Sequence, residues 1–187
     1  MDYRKGMTER KLVPHPLSPV HTVDAFAVEW ERTGAQLWLR YMMDIPLNNL
    51  ALPDPAERER ADNLWQTTCF ELFVRLPGHA SYAEFNFSPS GQWAAYAFAG
   101  YRDLLDNIVL MGAPEIYLDA GEEWLNAEVT LMLPEPWATA SLDVALSAVI
   151  EETDGTKSYW ALAHPPGKPD FHHPDCFALH LPAPDGA

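Results

Sequence analysis

The sequence predicts an all-β protein, its strands either stacked as two sheets or closed into a barrel. Three observations carry this reading. Apolar and polar residues alternate with period two in many short segments, the spacing of a strand with one buried face. The chain is punctuated at short intervals by 17 prolines and 10 glycines, which suit turns between short strands. No apolar stripe with a 3.6-residue period runs far enough for a long helix.

The elements follow in order. Residues 23–30 and 36–42 read as a hairpin about the turn Glu31-Arg32-Thr33-Gly34, with Leu37, Leu39 and Tyr41 on one face and Trp38 and Arg40 on the other. Residues 54–60 open on Asp-Pro and read as one helical turn, because proline suits the first helical position. Residues 68–75 form a strand with Phe70, Leu72 and Val74 opposite Cys69, Glu71 and Phe73. In 82–88, Ala83, Phe85 and Phe87 face one way and Tyr82, Glu84, Asn86 and Ser88 the other. Ser88-Pro89-Ser90-Gly91 supplies a tight reversal, and 93–98 returns as the partner strand. Further strands are expected at 115–118, 125–133, 142–151, 159–164 and 177–181. Two stacked antiparallel sheets bury their facing sides and leave the outer sides free.

The length of 187 residues fits one domain, 1–187, with a core over about 20–181 and frayed termini. Such a chain buries roughly 70% of its unfolded surface and needs no staples. The net charge of −15 disfavours nucleic acid and anionic membrane as partners, since no Lys/Arg patch exists to release counterions. A neutral or cationic small ligand fits better, and acidity also serves solubility. The N-terminal stretch has no apolar signal core, and no run nears the roughly 18 apolar residues of a membrane span. A cytoplasmic location with Cys69 and Cys176 reduced is therefore expected; a disulfide between them would require export.

Face assignments gather the candidate site. With Phe85 and Phe87 inward, Glu84, Asn86 and Ser88 project together as a carboxylate, amide and hydroxyl row beside Tyr82. Glu71 joins from the neighbouring strand, Arg102 can reach over, and Trp65, Trp93 and Trp160 stand where a flat ring can border a pocket. Sugars want this mixture: C–H faces on aromatic rings, hydroxyls on polar groups. Each tryptophan equally suits the core or rim of a sandwich, and Asn86 and Ser88 equally suit closure of their turn.

A second segment, 159–177, is a strand running into a proline-stiffened loop. His164, Asp170, His172, His173, Asp175 and Cys176 crowd together there, but at no zinc spacing, and adjacent histidines rarely share one centre. The loop is expected to cap an open end of the sandwich and bring His164, His172 or Asp170 near the ligand. No G-x-S-x-G, phosphate-binding loop, dinucleotide glycine motif or H-E-x-x-H occurs. Glu71 and Glu84 are the residues that would serve a glycosidase.

Trp65-Gln66-Thr67-Thr68-Cys69-Phe70-Glu71-Leu72-Phe73-Val74, followed by Tyr82-Ala83-Glu84-Phe85-Asn86-Phe87-Ser88-Pro89-Ser90-Gly91-Gln92-Trp93, resembles the DOMON-like superfamily, in the branch similar to the family 9 carbohydrate-binding modules. The Tyr159-Trp160 strand and Phe171-His172 loop extend the resemblance from about residue 20 to 181. It implies a jelly-roll-like antiparallel sandwich that binds sugars or, in other branches, haem. It implies Trp65 and Trp160 as the rings that sandwich a sugar, and Glu71, Asn86 and Arg102 as their polar partners. The modules are usually exported and joined to glycosidases, whereas this chain shows no signal. No acidic loop matches the calcium some of them hold, and for haem no spacing selects Met42, Met43 or His164. No cofactor is therefore expected.

The expectation is a non-catalytic domain holding a carbohydrate or sugar-like small molecule on a concave sheet face. A small sugar-acting enzyme using Glu71 or Glu84, a haem domain and a protein-interaction domain are the alternatives, and the oligomeric state stays open.

Overall fold

The computed structural model describes residues 8–19 and 21–184. Of the ends expected to fray outside about 20–181, residues 1–7 and 185–187 lie outside the described residues, as does residue 20, while Thr8–Lys11 and Val13–Pro14 are strands and not frayed. In chain order the strands are β1 (Thr8–Lys11), β2 (Val13–Pro14), β3 (Ala25–Thr33), β4 (Gln36–Asp44), β5 (Cys69–Arg75), β6 (Tyr82–Phe87) and β7 (Trp93–Gly100). Then come β8 (Asp103–Asn107), β9 (Glu115–Ala120), β10 (Trp124–Met132), β11 (Leu142–Glu151), β12 (Lys157–Ala161) and β13 (Leu179–Leu181). Helix is confined, among the described residues, to short 3-10 turns at Leu47–Asn49, Leu64–Gln66 and Pro174–Cys176.

The strands form two antiparallel sheets. One runs β1-β3-β4-β10-β9, the other β2-β12-β11-β5-β6-β7-β8. β5 takes one edge of β11, while β12 and β13 share successive lengths of the other. The sheets meet over a common apolar core. Val28, Leu39, Tyr41 and Val129 come from the first sheet, and Phe70, Leu72, Phe85, Phe87 and Leu146 from the second. These are the residues that alternation places inward, so burial of one face per strand fixes the register. Tyr41 is fully buried and donates its hydroxyl hydrogen to the Glu71 carbonyl at 2.8 Å, which satisfies the polar end of a core ring.

Three local readings are corrected. The first hairpin turns at Gly34-Ala35, not over 31–34, because Thr33 pairs Gln36 and Gly34 takes the positive φ of +58°. Residues 54–60 make no helical turn. Their backbone bonds go sideways instead: Ala56 N–H donates to Ser90 O, and Arg60 bridges Trp93. β1, β2 and β8 were missed because all their residues are exposed, which leaves no two-residue alternation to read. No helix among the described residues is long and apolar enough to cross a membrane.

Candidate functional site

The outer face of the second sheet is built from straight cross-strand rows. Register aligns Ala161, Ser147, Glu71, Asn86 and Ala94 across β12, β11, β5, β6 and β7. The next row holds Ala145, Phe73, Glu84 and Tyr96. Small residues flank Glu71 and Asn86, so the polar pair sits in a dip between larger side chains.

Two segments cap this face. Loop 162–178 crosses it and buries Phe171 and Cys176 against Phe73, Tyr82, Phe98 and Val149. On the opposite side, Leu64 packs on Cys69 and Ala94. Asn63, in the left-handed region at φ +62°, turns the chain there and puts Trp65 on the rim, 51% exposed. Between the caps lies a cavity of about 410 Å³, floored by Glu71 and Glu84 and walled by Trp65, Tyr96, Phe98 and Tyr159, with Arg102, Asp170 and His172 at one side. This size and mixture suit a small-molecule site.

The polar groups are held from behind. Asn86, completely buried, donates from Nδ2 to Glu84 Oε1 at 2.8 Å and receives the Cys69 thiol at 3.8 Å. Ser147 Oγ donates to Glu71 Oε2 at 3.3 Å. Asp170 accepts from Arg102 Nη2 at 2.7 Å, from the Tyr101 hydroxyl and from the His172 backbone N–H. That ties loop 162–178 to the β7–β8 turn, where Arg102 takes a φ of +54°.

Burial dominates the electrostatics. It pushes Glu71 well above the ordinary carboxyl value, and the charge of Glu84 adds to this, while Ser147 and Arg102 pull back. Glu84 is raised as well, by burial against the opposing Asn86 bond and Arg102 charge. Burial, with Arg102 nearby, pushes His172 down to about 4, so its ring is neutral near pH 7. Tyr82 accepts from the Arg102 N–H at 3.1 Å and bonds His172 Nδ1 at 2.8 Å, an arrangement in which we assign the phenol as donor to the neutral ring. This pattern assigns the remaining proton to Nε2, which faces Glu84 Oε2 at 3.6 Å. Burial also pushes the Cys69 thiol well up, which makes it a poor nucleophile.

The structure thus brings Trp65, Glu71, Glu84, Arg102 and His172 to one cavity and sets Asn86 beneath it. The other expected residues go elsewhere. Trp160 is 3% exposed and points into the core against Phe26, its indole N–H bonded to Ser158. It fits because its cross-strand partner is the small Ala148. Trp93 pairs Phe87 and packs on the same core. Ser88 closes its turn by bonding Ser90. His164 Nε2 bonds the Val13 carbonyl, and its ring meets His15 edge to face at 4.9 Å.

Tyr96, Phe98, Tyr159 and Phe171 were missed as wall residues. The parity of β7 and β12 carried the signal for Tyr96, Phe98 and Tyr159: each stands one residue away from an inward neighbour. Cys69 and Cys176 are both free and buried. Among the described residues no cluster of three His, Cys, Asp or Glu side chains could hold a metal ion. The residues weighed for haem do not converge, since Met43 is sealed in the core and His164 is engaged by backbone.

No protein-family model matches this chain, and no curated protein matches it in sequence. Solved structures do share its shape. A "putative carbohydrate-binding protein" from Bacteroides uniformis ATCC 8492 superposes with a TM-score of 0.63 at 16% identity, covering 91% of this chain and 84% of its own. A carbohydrate binding module of family 9 from Caldicellulosiruptor kristjanssonii, in complex with cellotriose, gives 0.57 at 9% identity over 89% of this chain and 78% of that one. The same kind of module in complex with glucose gives 0.56 at 9% identity over 89% and 80%. At these identities the likeness is one of fold: the chain has the two-sheet sandwich architecture of these carbohydrate-binding structures.

Proposed function

We propose that this chain is a single DOMON-like domain that binds a small carbohydrate, without turning it over, in the cavity on the outer face of its second sheet. One observation carries the reading. Two carboxyl groups lie at the floor of a cavity whose walls are the rings of Trp65, Tyr96, Phe98 and Tyr159. Carboxyl oxygens take hydrogen bonds from sugar hydroxyls, while rings cover the C–H faces. The sugar-bound family 9 modules that share the architecture support it. Isothermal titration of the wild type with a panel of hexoses and cello-oligosaccharides is the test, repeated with Trp65→Ala. Saturable binding that weakens in the variant is expected; no heat with any sugar would remove the proposal.

A second reading draws on the same two carboxyls. An acid with a raised proton affinity beside a second carboxyl is the equipment of a glycosidase. Aryl-glycoside turnover lost in Glu71→Gln, with the melting temperature kept, would favour it over binding alone.

A further inference from the structure

Cavity charge goes beyond what a neutral sugar requires. Three carboxyl groups, Glu71, Glu84 and Asp170, line the cavity against one guanidinium, Arg102. That guanidinium is bonded to Asp170 at 2.7 Å and also pulls on Glu71 and Glu84 without bonding them, so one positive charge is shared among three carboxyl groups. His172, the other basic group, is held neutral by its burial and by the nearby Arg102 charge. Glu71 and Glu84 are 3% and 6% exposed. Glu71 takes one long bond from Ser147 on Oε2, and the described residues offer Oε1 none. Glu84 takes one bond from Asn86 on Oε1, and its Oε2 has only His172 at 3.6 Å.

Buried carboxylates short of counter-charge are costly, and proteins ordinarily pair them. Here both carboxyls line the cavity together with the rings of Trp65, Tyr96, Phe98 and Tyr159, and aromatic faces also attract cations. Ring faces and carboxylates together form a receptor for a positive group.

We infer that the ligand carries a protonated amine: the site selects an amino sugar, its ammonium set between Glu71 and Glu84 and its ring covered by Trp65, Tyr96 and Tyr159. The inference rests on the carbohydrate reading above and deepens it. The ammonium donates to the free oxygens of both glutamates, replacing the missing partner with charge-assisted bonds about twice as strong as neutral ones. The raised proton affinity of both carboxyls agrees, since a site waiting for a cation holds protons in its absence.

The experiment pairs each hexose with its 2-amino counterpart: glucose with glucosamine, galactose with galactosamine, mannose with mannosamine, by calorimetric titration of the full chain at pH 6. N-acetylglucosamine serves as the neutral substituted control. At least one amino sugar is expected to bind about tenfold tighter than its parent hexose, with N-acetylglucosamine no tighter than glucose. The preference is expected to collapse in Glu84→Gln and in Glu71→Gln. Should those variants not fold, salt titration of the wild type gives the same answer. Amino-sugar affinity falls with added salt while hexose affinity holds. Equal binding of each pair overturns the inference and leaves the carbohydrate reading intact. Failure of every sugar to bind overturns both.

Discussion

The Tyr82 phenol and the His172 imidazole are joined at 2.8 Å through Nδ1, and the two rings lie edge to face at 5.9 Å. The bond spans strand β6 and loop 162–178, so it couples the tautomer of the histidine to the seat of the loop. In Tyr82→Phe the Arg102 N–H loses its acceptor and Nδ1 loses its donor. A loss of about 1–3 kcal/mol of stability is expected, read by chemical denaturation. Nitrogen chemical shifts of His172 are expected to move from the Nε2–H form toward a mixture. Unchanged shifts would mean that the ring is fixed by packing on Phe73 and Phe98 alone.

Two tryptophans separate binding from stability. Trp65 is a rim residue, so Trp65→Ala is expected to leave stability within about 0.5 kcal/mol and to weaken sugar binding by roughly three- to tenfold. Trp160 is a core residue, and Trp160→Ala is expected to cost about 3–5 kcal/mol. Denaturant midpoints and titration of the two variants check this, and a soluble, stable Trp160→Ala protein that has lost ligand would reverse the assignment.

Glu71 and Glu84 make stability depend on pH in a definite sense. Both hold protons more tightly folded than unfolded, so their contribution is complete below the ordinary value of 4.5 and is lost as pH rises through their raised folded values. His172 runs the other way. Its folded value of about 4 lies under 6.5, so its contribution is complete above 6.5 and is lost as pH falls through 4. Arg102, Asp170, Cys69, Tyr41, Tyr82 and Tyr96 are the other charged or titratable groups around the carboxyl pair. Glu71→Gln is expected to melt higher than wild type at pH 8 and close to it at pH 5. A lower melting temperature at pH 8 would show that the carboxylate is stabilised by something other than its present neighbours.

Asp170 holds loop 162–178 against the β7–β8 turn. Asp170→Ala removes the acceptor for Arg102, Tyr101 and the His172 N–H together. Faster amide hydrogen exchange confined to 169–173 is expected, with roughly 1–2 kcal/mol lost from global stability. Exchange unchanged in that stretch would assign the loop's seat to Phe171 and Phe177 alone.

Alternation made the sandwich legible. Leu37, Leu39 and Tyr41 in β4, and Phe70, Leu72 and Val74 in β5, declare their buried face by period two, because one sheet face must leave water. The same parity put Glu71, Glu84 and Asn86 on one outer face before any pairing was known. Trp160 shows the limit. Its neighbour Tyr159 has the opposite parity and lines the cavity, yet the resemblance to family 9 modules pointed to the tryptophan. Only the pairing of Trp160 with Ala148 shows that the core has room for the larger ring. β8, with every residue exposed, gave no pattern at all.

By itself, then, the sequence determined the two-faced strands, the inward aromatic set and the acidic outer row, since these follow from local alternation and charge. Tertiary structure alone decided that this row is a pocket. The walls come from 61–66, from β7 and β12, and from loop 162–178, and residues so far apart in the chain meet only through long-range packing on Cys69, Phe73 and Phe98. No periodicity encodes which distant loop covers a sheet face; that depends on how the side chains of both fit once they are brought together.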